Sequence, residues 1–198
     1  MKPDQFTLAW LSTPHPKQRG ASLIMVMMIL IIVSLLGIGG AQIALMSERG
    51  ARNDRDMQIA WQAAEAALID AEFDLTNPAA GRQALFDGKN RTAFLPGCGT
   101  SGTSVGLCAI TTSGKPAWLT VDFTDTSNSA PTTPFGLFSG RTFTTGTKGV
   151  QPAQAPRYVI ELVEDPRDNK SVVYRVTAMG FGPRADIQAV LQMIYRVS

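Results

Sequence analysis

Histidine is almost missing: the 198-residue chain has one, His15, and two cysteines, Cys98 and Cys108. From Ala21 onward there is no histidine, so a chain that begins there can hold no Ser-His-Asp triad, histidine general base or common zinc site. No G-x-x-x-x-G-K-[ST] phosphate loop and no Cys-x-x-Cys redox pair occur. Net charge is also absent once residues 1–20 are set aside, because 15 basic and 15 acidic side chains remain. A nucleic-acid footprint is therefore not expected. Asp122 and Asp125 form a D-x-x-D pair, and Asp165, Asp168 and Asn169 cluster in a turn. Neither group follows the twelve-residue calcium loop, and acids in turns are ordinarily turn formers. No enzyme, cofactor or metal site is expected.

A further absence points the other way. From Ala21 to Ser47 there are 27 residues without a charge, and Gln42 is the first strongly polar one. As a helix this run is roughly 40 Å long, enough to cross a bilayer with some tilt. Lys17 and Arg19 precede it, which keeps the N-terminus cytoplasmic and sends the remainder outward. The run is longer than the h-region of an ordinary secretory signal, although Gly39 and Ala41 mimic a small-x-small cleavage site. Beyond Ser47 the helical pattern persists. Met57, Ala60, Trp61, Ala64, Ala67, Leu68, Ala71 and Leu75 form an apolar stripe. Arg52, Asp54, Arg55, Asp56, Glu65, Asp70 and Glu72 are spread over the remaining faces. Pro78 forces a stop. One helix from Ala21 to about Leu75 is expected. Gly37, Gly39, Gly40 and Gly50 are either small-residue contacts between helices or places where the helix unwinds.

The outward topology places Cys98 and Cys108 in an oxidising compartment, where a disulfide is the natural assignment. Closing so short a loop stabilises by roughly 2–3 kcal/mol. Residues 124–156 are dense in Thr, Ser, Gly and Pro, a long loop with a short strand expected before it at "WLTVDFT". Phe135, Leu137, Phe138 and Phe143 are expected as its buried anchors. Three clearer strands follow at "RYVIELVE", "SVVYRVTA" and "DIQAVLQMIYRV". In the last, Ile187, Ala189, Leu191, Met193 and Tyr195 alternate with Gln188, Val190, Gln192, Ile194 and Arg196. Short connections favour antiparallel neighbours. The fold class expected is α+β, a long N-terminal helix packed on an antiparallel sheet.

"RGASLIMVMMILIIVSLLGIGG", followed by "ERGARNDRDMQIAWQAAEAALIDAEF", resembles the N-terminus of the PilX family of type IV pilus minor pilins. "YRVTAMGFGPRADIQAVLQMIYRV" resembles that family's closing strands. The resemblance covers about residues 17–75 and 157–198 and leaves the middle unmatched. It implies that a prepilin peptidase cuts after Gly20 and leaves Ala21 as an N-methylated terminus. The expected divisions are a cleaved leader (1–20), an apolar transmembrane and assembly half-helix (21–47) and an amphipathic periplasmic half (48–76). A loop-rich region (77–156) and the strands of the head (157–198) complete the chain. The implied location is the inner membrane, single pass with a periplasmic C-terminus, and then the surface pilus. The implied partners are other minor pilins, the major pilin, the prepilin peptidase, the inner-membrane assembly machinery and, at a tip, a large adhesin. Adhesion and twitching motility are the settings such fibres serve.

The sequence departs from the general pilin pattern at the fifth residue after the cut. Most pilins carry glutamate there, thought to pair with the amine of the subunit ahead, and Met25 replaces it. A buried charge is tolerable only when paired. A subunit with nothing ahead of it needs no such partner, which fits a place at or near the tip; methionine is also simply a good helix-packing residue. Two other assignments stay open here. One is a membrane-anchored periplasmic binding protein, which needs no cleavage. The other is a type II secretion pseudopilin of the K type, which also lacks the glutamate but is generally larger.

Overall fold

A computed structural model describes residues 21–146, 150–165 and 167–196. Lys17, Arg19 and Gly20 lie outside the described residues, as do the side chains of Ala21, Asp168 and Asn169. Helix α1 (Ala21–Thr76) is unbroken. It passes the four glycines without unwinding, and a Cβ placed on any of them would meet nothing within 4 Å. Asn77 ends it by turning the chain into a 3₁₀ turn at Pro78–Ala80, its side chain accepting a hydrogen bond from the Ala79 amide at 2.8 Å. The chain forms two compact units, one ending at Arg49 and the other running Gly50–Ser198.

Within the second unit a sheet packs on α1. Its long strands are β3 (Arg157–Asp165), β4 (Asp168–Phe181) and β5 (Gln188–Tyr195). They pair antiparallel as expected, with Tyr158 opposite Ala178 and Tyr174 opposite Tyr195. The loop region adds two short strands, both on β3: β1 (Leu107–Cys108) is parallel to it and β2 (Thr133–Pro134) antiparallel. The sheet is therefore mixed. Alternation along β5 holds throughout: Ile187 and Ala189 are buried and Leu191, Met193 and Tyr195 half-buried, while the intervening residues are exposed.

The helix meets the sheet through alanine. Ala60, Ala63, Ala64, Ala67 and Ala71 are buried together with Leu75. A Cβ at Gly180 of β4 would lie 2.1 Å from the Ala60 carbonyl oxygen and 2.2 Å from the Ala64 nitrogen. The two backbones touch there, and only glycine fits between them. This contact rotates the buried stripe away from its expected centre, leaving Met57 and Trp61 at 41% and 49% exposure. Farther along α1, Ala67, Ala71 and Leu75 join Phe86, Phe94, Leu107, Tyr158, Ile160 and Tyr174 in the main core. Phe86, Phe94 and Tyr174 form an aromatic group with centroids 5.4–6.2 Å apart.

The opposite face of β3 is covered by loop. Cys98, Cys108, Ala117 and Phe123 pack on Val159 there, and Cys98–Cys108 is a disulfide. Two expectations for this region need correction. "WLTVDFT" is not a strand but a 3₁₀ turn at Ala117–Leu119, entered through Pro116 and closed by the Thr120 amide and hydroxyl on the Ala117 carbonyl. Proline supplies no amide donor to a ladder, and the Trp118 amide turns instead to the Glu161 carboxylate at 3.4 Å. Of the four proposed loop anchors none is fully buried, and Leu137 is 51% exposed.

Candidate functional site

The first unit presents an apolar surface that none of the described residues covers. Every large side chain from Leu23 to Met46 is more than half exposed, Met25 at 67% among them. Burying one such side chain is worth about 1.5–3 kcal/mol. A row of this length is stable only in lipid or against other helices. Among the described residues α1 is the one helix long and apolar enough to cross a membrane. Glycines along it let a neighbouring backbone come close.

The second unit is tied together by buried charge. Asp74 and Arg82 are fully buried and ion-paired. Arg82 Nε donates to both Asp74 oxygens at 2.8 and 2.9 Å, and Nη2 donates to Oδ2 as well. Arg82 Nη1 reaches the Thr103 and Val105 carbonyls at 3.0 and 2.8 Å. The Phe138 ring lies 3.7 Å from the guanidinium carbon. Tyr158 Oη donates to Asp74 at 2.9 Å, and burial, with the charge of Asp74, pushes the phenol pKa well up. One arginine thus fixes the end of the helix, the disulfide loop and the Phe138 segment to each other. Four residues earlier on the helix, buried Asp70 accepts from the Gly136 amide at 2.8 Å and from the Ser139 hydroxyl. On the other face of the sheet, Arg175 Nε donates to Glu161 at 2.9 Å.

Asp70 is thereby moved from the solvent face, where the charge pattern placed it, to the interior. Asp70 and Asp74 continue the positions of Ala67 and Ala71 around the helix, and acids inside a buried stripe require partners. That placement was the available signal. Arg82 had none, standing alone in a glycine- and alanine-rich turn.

The acids weighed as calcium ligands act as turn formers. Asp122 accepts from the Thr124 amide and hydroxyl, Asp125 from the Ser127 amide and Asp165 from the Arg167 amide. These bonds hold the Asp122 and Asp125 carboxyls below their ordinary pKa. Among the described residues no group of three or more His, Cys, Asp or Glu is placed to hold a metal.

A lipid-compatible helix that continues into the wall of a sheet-bearing head defines a pilin-like α+β protein. Two family models match the chain: PilX N-terminal over residues 19–68, and Type IV pilus assembly protein PilX C-term over residues 104–197. The chain belongs to the PilX family of type IV pilus assembly proteins, which are structural and non-enzymatic. The second match begins well before β3, so it includes most of the loop region that the quoted motifs left unmatched. No curated protein and no solved structure matches significantly.

Proposed function

We propose that this protein is a minor pilin that joins other minor pilins to prime pilus assembly, at or near the fibre tip. The observation that carries it is the uncovered apolar half of α1, whose continuation is built into the head. A prepilin peptidase removes residues 1–20 by cutting after Gly20, Ala21 is N-methylated, and residues 21–47 lie in the inner membrane with the C-terminus periplasmic. The half-helix then transfers from lipid to a bundle of pilin helices, exchanging one apolar environment for another. The partners are the other minor pilins, with major pilin stacking beneath, and the inner-membrane assembly machinery. Met25 is compatible with the tip, where no amine from a subunit ahead requires a carboxylate.

Mass spectrometry of protein from sheared fibres should find an N-terminus at methylated Ala21. Deleting the gene should reduce surface pili, and the intact gene should restore them. An N-terminus at Met1, or protein found only in the membrane with piliation unaffected by deletion, would sink the proposal.

A further inference from the structure

Arg157, the first residue of β3, is 7% exposed and has no carboxylate within ion-pairing distance among the described residues. Its Nε donates to the Thr132 hydroxyl at 2.6 Å and its Nη2 to the Thr132 carbonyl at 2.9 Å, both neutral acceptors. The other deeply buried arginine, Arg82, is paired with an acid. Among the described residues Nη1 of Arg157 donates no hydrogen bond. Arg157 lines the cavity beside it. That cavity, of about 420 Å³, is lined by Arg157, Ser101, Asn128, Val105, Leu137 and Phe138, and no acid lines it. Burial pulls the guanidinium pKa down, and Asp125 is the acid whose charge opposes this.

A buried guanidinium with neutral partners on two nitrogens and no hydrogen-bond partner on the third is an incomplete ion pair. Its planar donors suit a carboxylate, and closing the pair away from water would offset the cost of burying it. The hydroxyl and amide of Ser101 and Asn128 at the rim add polar groups, while exposed Leu137 and half-buried Phe138 add an apolar wall. We propose that this cavity is a carboxylate-binding site whose occupant is an acidic side chain, next to an apolar one, on a loop of a neighbouring pilus subunit. The occupant rests on the assembly role proposed above; the carboxylate site itself does not.

The test uses the full chain in detergent micelles with ¹⁵N-arginine, following the Arg157 Nε–Hε resonance. Added Ac-Glu-Leu-NH2 should shift it saturably, and Ac-Gln-Leu-NH2 at least tenfold more weakly. Arg157→Gln, which keeps donors for Thr132, and Asn128→Trp, which narrows the mouth with Arg157 in place, should both abolish binding. Asp125→Asn should tighten it by removing the competing acid. Equal responses to the two peptides would overturn the site. So would an Asp125→Asn variant that lowers the melting temperature as much as Arg157→Gln, since Asp125 would then be the counter-ion. In fibres, a photo-crosslinker at Asn128 should capture an acid-containing peptide of another subunit; capture of only this chain's own peptides would overturn the occupant. A chain that binds the glutamyl peptide but never enters fibres would overturn the assembly role and the named occupant while leaving the carboxylate site standing.

Discussion

At Asp74, Arg82 and Tyr158, a charge pair with no exposure is stabilising only because every polar atom facing it is occupied. Removing one member strands the other. Arg82→Ala should cost about 3–5 kcal/mol in denaturant unfolding. Arg82→Met combined with Asp74→Leu should be markedly less harmful, because no charge is left buried. A double variant as unstable as the single one would show that the loop carbonyls, rather than the charge, set the cost. Tyr158 adds a pH dependence whose sign is fixed. Its folded pKa lies above the ordinary phenol value of 10.0, so the neutral form is favoured in the folded state. The stability it contributes is fully present below about pH 10 and is lost as pH rises through the folded pKa. Tyr174, also raised by burial, acts in the same direction. Tyr158→Phe should therefore reduce stability by about 1 kcal/mol at neutral pH and flatten part of the alkaline loss. An alkaline slope identical to the parent's would refute the assignment to Tyr158.

The second half of α1 and the strands were legible because each carries a period. Burial along β5 follows the alternation of Ile187 to Tyr195 residue by residue, and Pro78 stops the helix within two residues of Thr76. The helix stripe was legible in kind but not in phase. Its phase is set by Gly180, more than a hundred residues away, where strand and helix backbones touch. In the loop region the Cys98–Cys108 disulfide and the turn acids were legible, but the path of the chain between them was not. The 3₁₀ turn at Ala117–Leu119 and the positions of Phe135 to Phe143 depend on Glu161, Arg82 and Asp70, partners with no local signature. Gly180→Val tests the contact that sets the phase. The added side chain cannot rotate away from backbone atoms, so the helix must lift, and the loss should exceed the 1–3 kcal/mol typical of overpacking. Hydrogen exchange should speed up along Asp56–Ala67. Unchanged exchange there would mean that helix and sheet do not meet at Gly180.

For the whole molecule, the two halves of α1 meet different demands: the later half packs on the sheet, whereas the first has no partner among the described residues. In the proposed fibre its partners are other pilin helices, and the tip differs from the shaft in having no subunit ahead. A glutamate in the first turn is useful only where an amine waits for it. At Met25, 67% exposed on the lone chain, Met25→Glu would place a carboxylate among apolar helices with no cation opposite. That costs several kcal/mol unless the group takes up a proton. Met25→Leu keeps both volume and polarity and should be neutral. Expressed in cells lacking the native copy, Met25→Leu should restore surface pili fully and Met25→Glu poorly. Labelled parent protein should appear at fibre ends. If Met25→Glu supports piliation as well as the parent, or if label is spread along the shaft, the tip position is wrong. Membership of the pilus assembly family would stand, because it rests on the matches over residues 19–68 and 104–197 and not on Met25 alone.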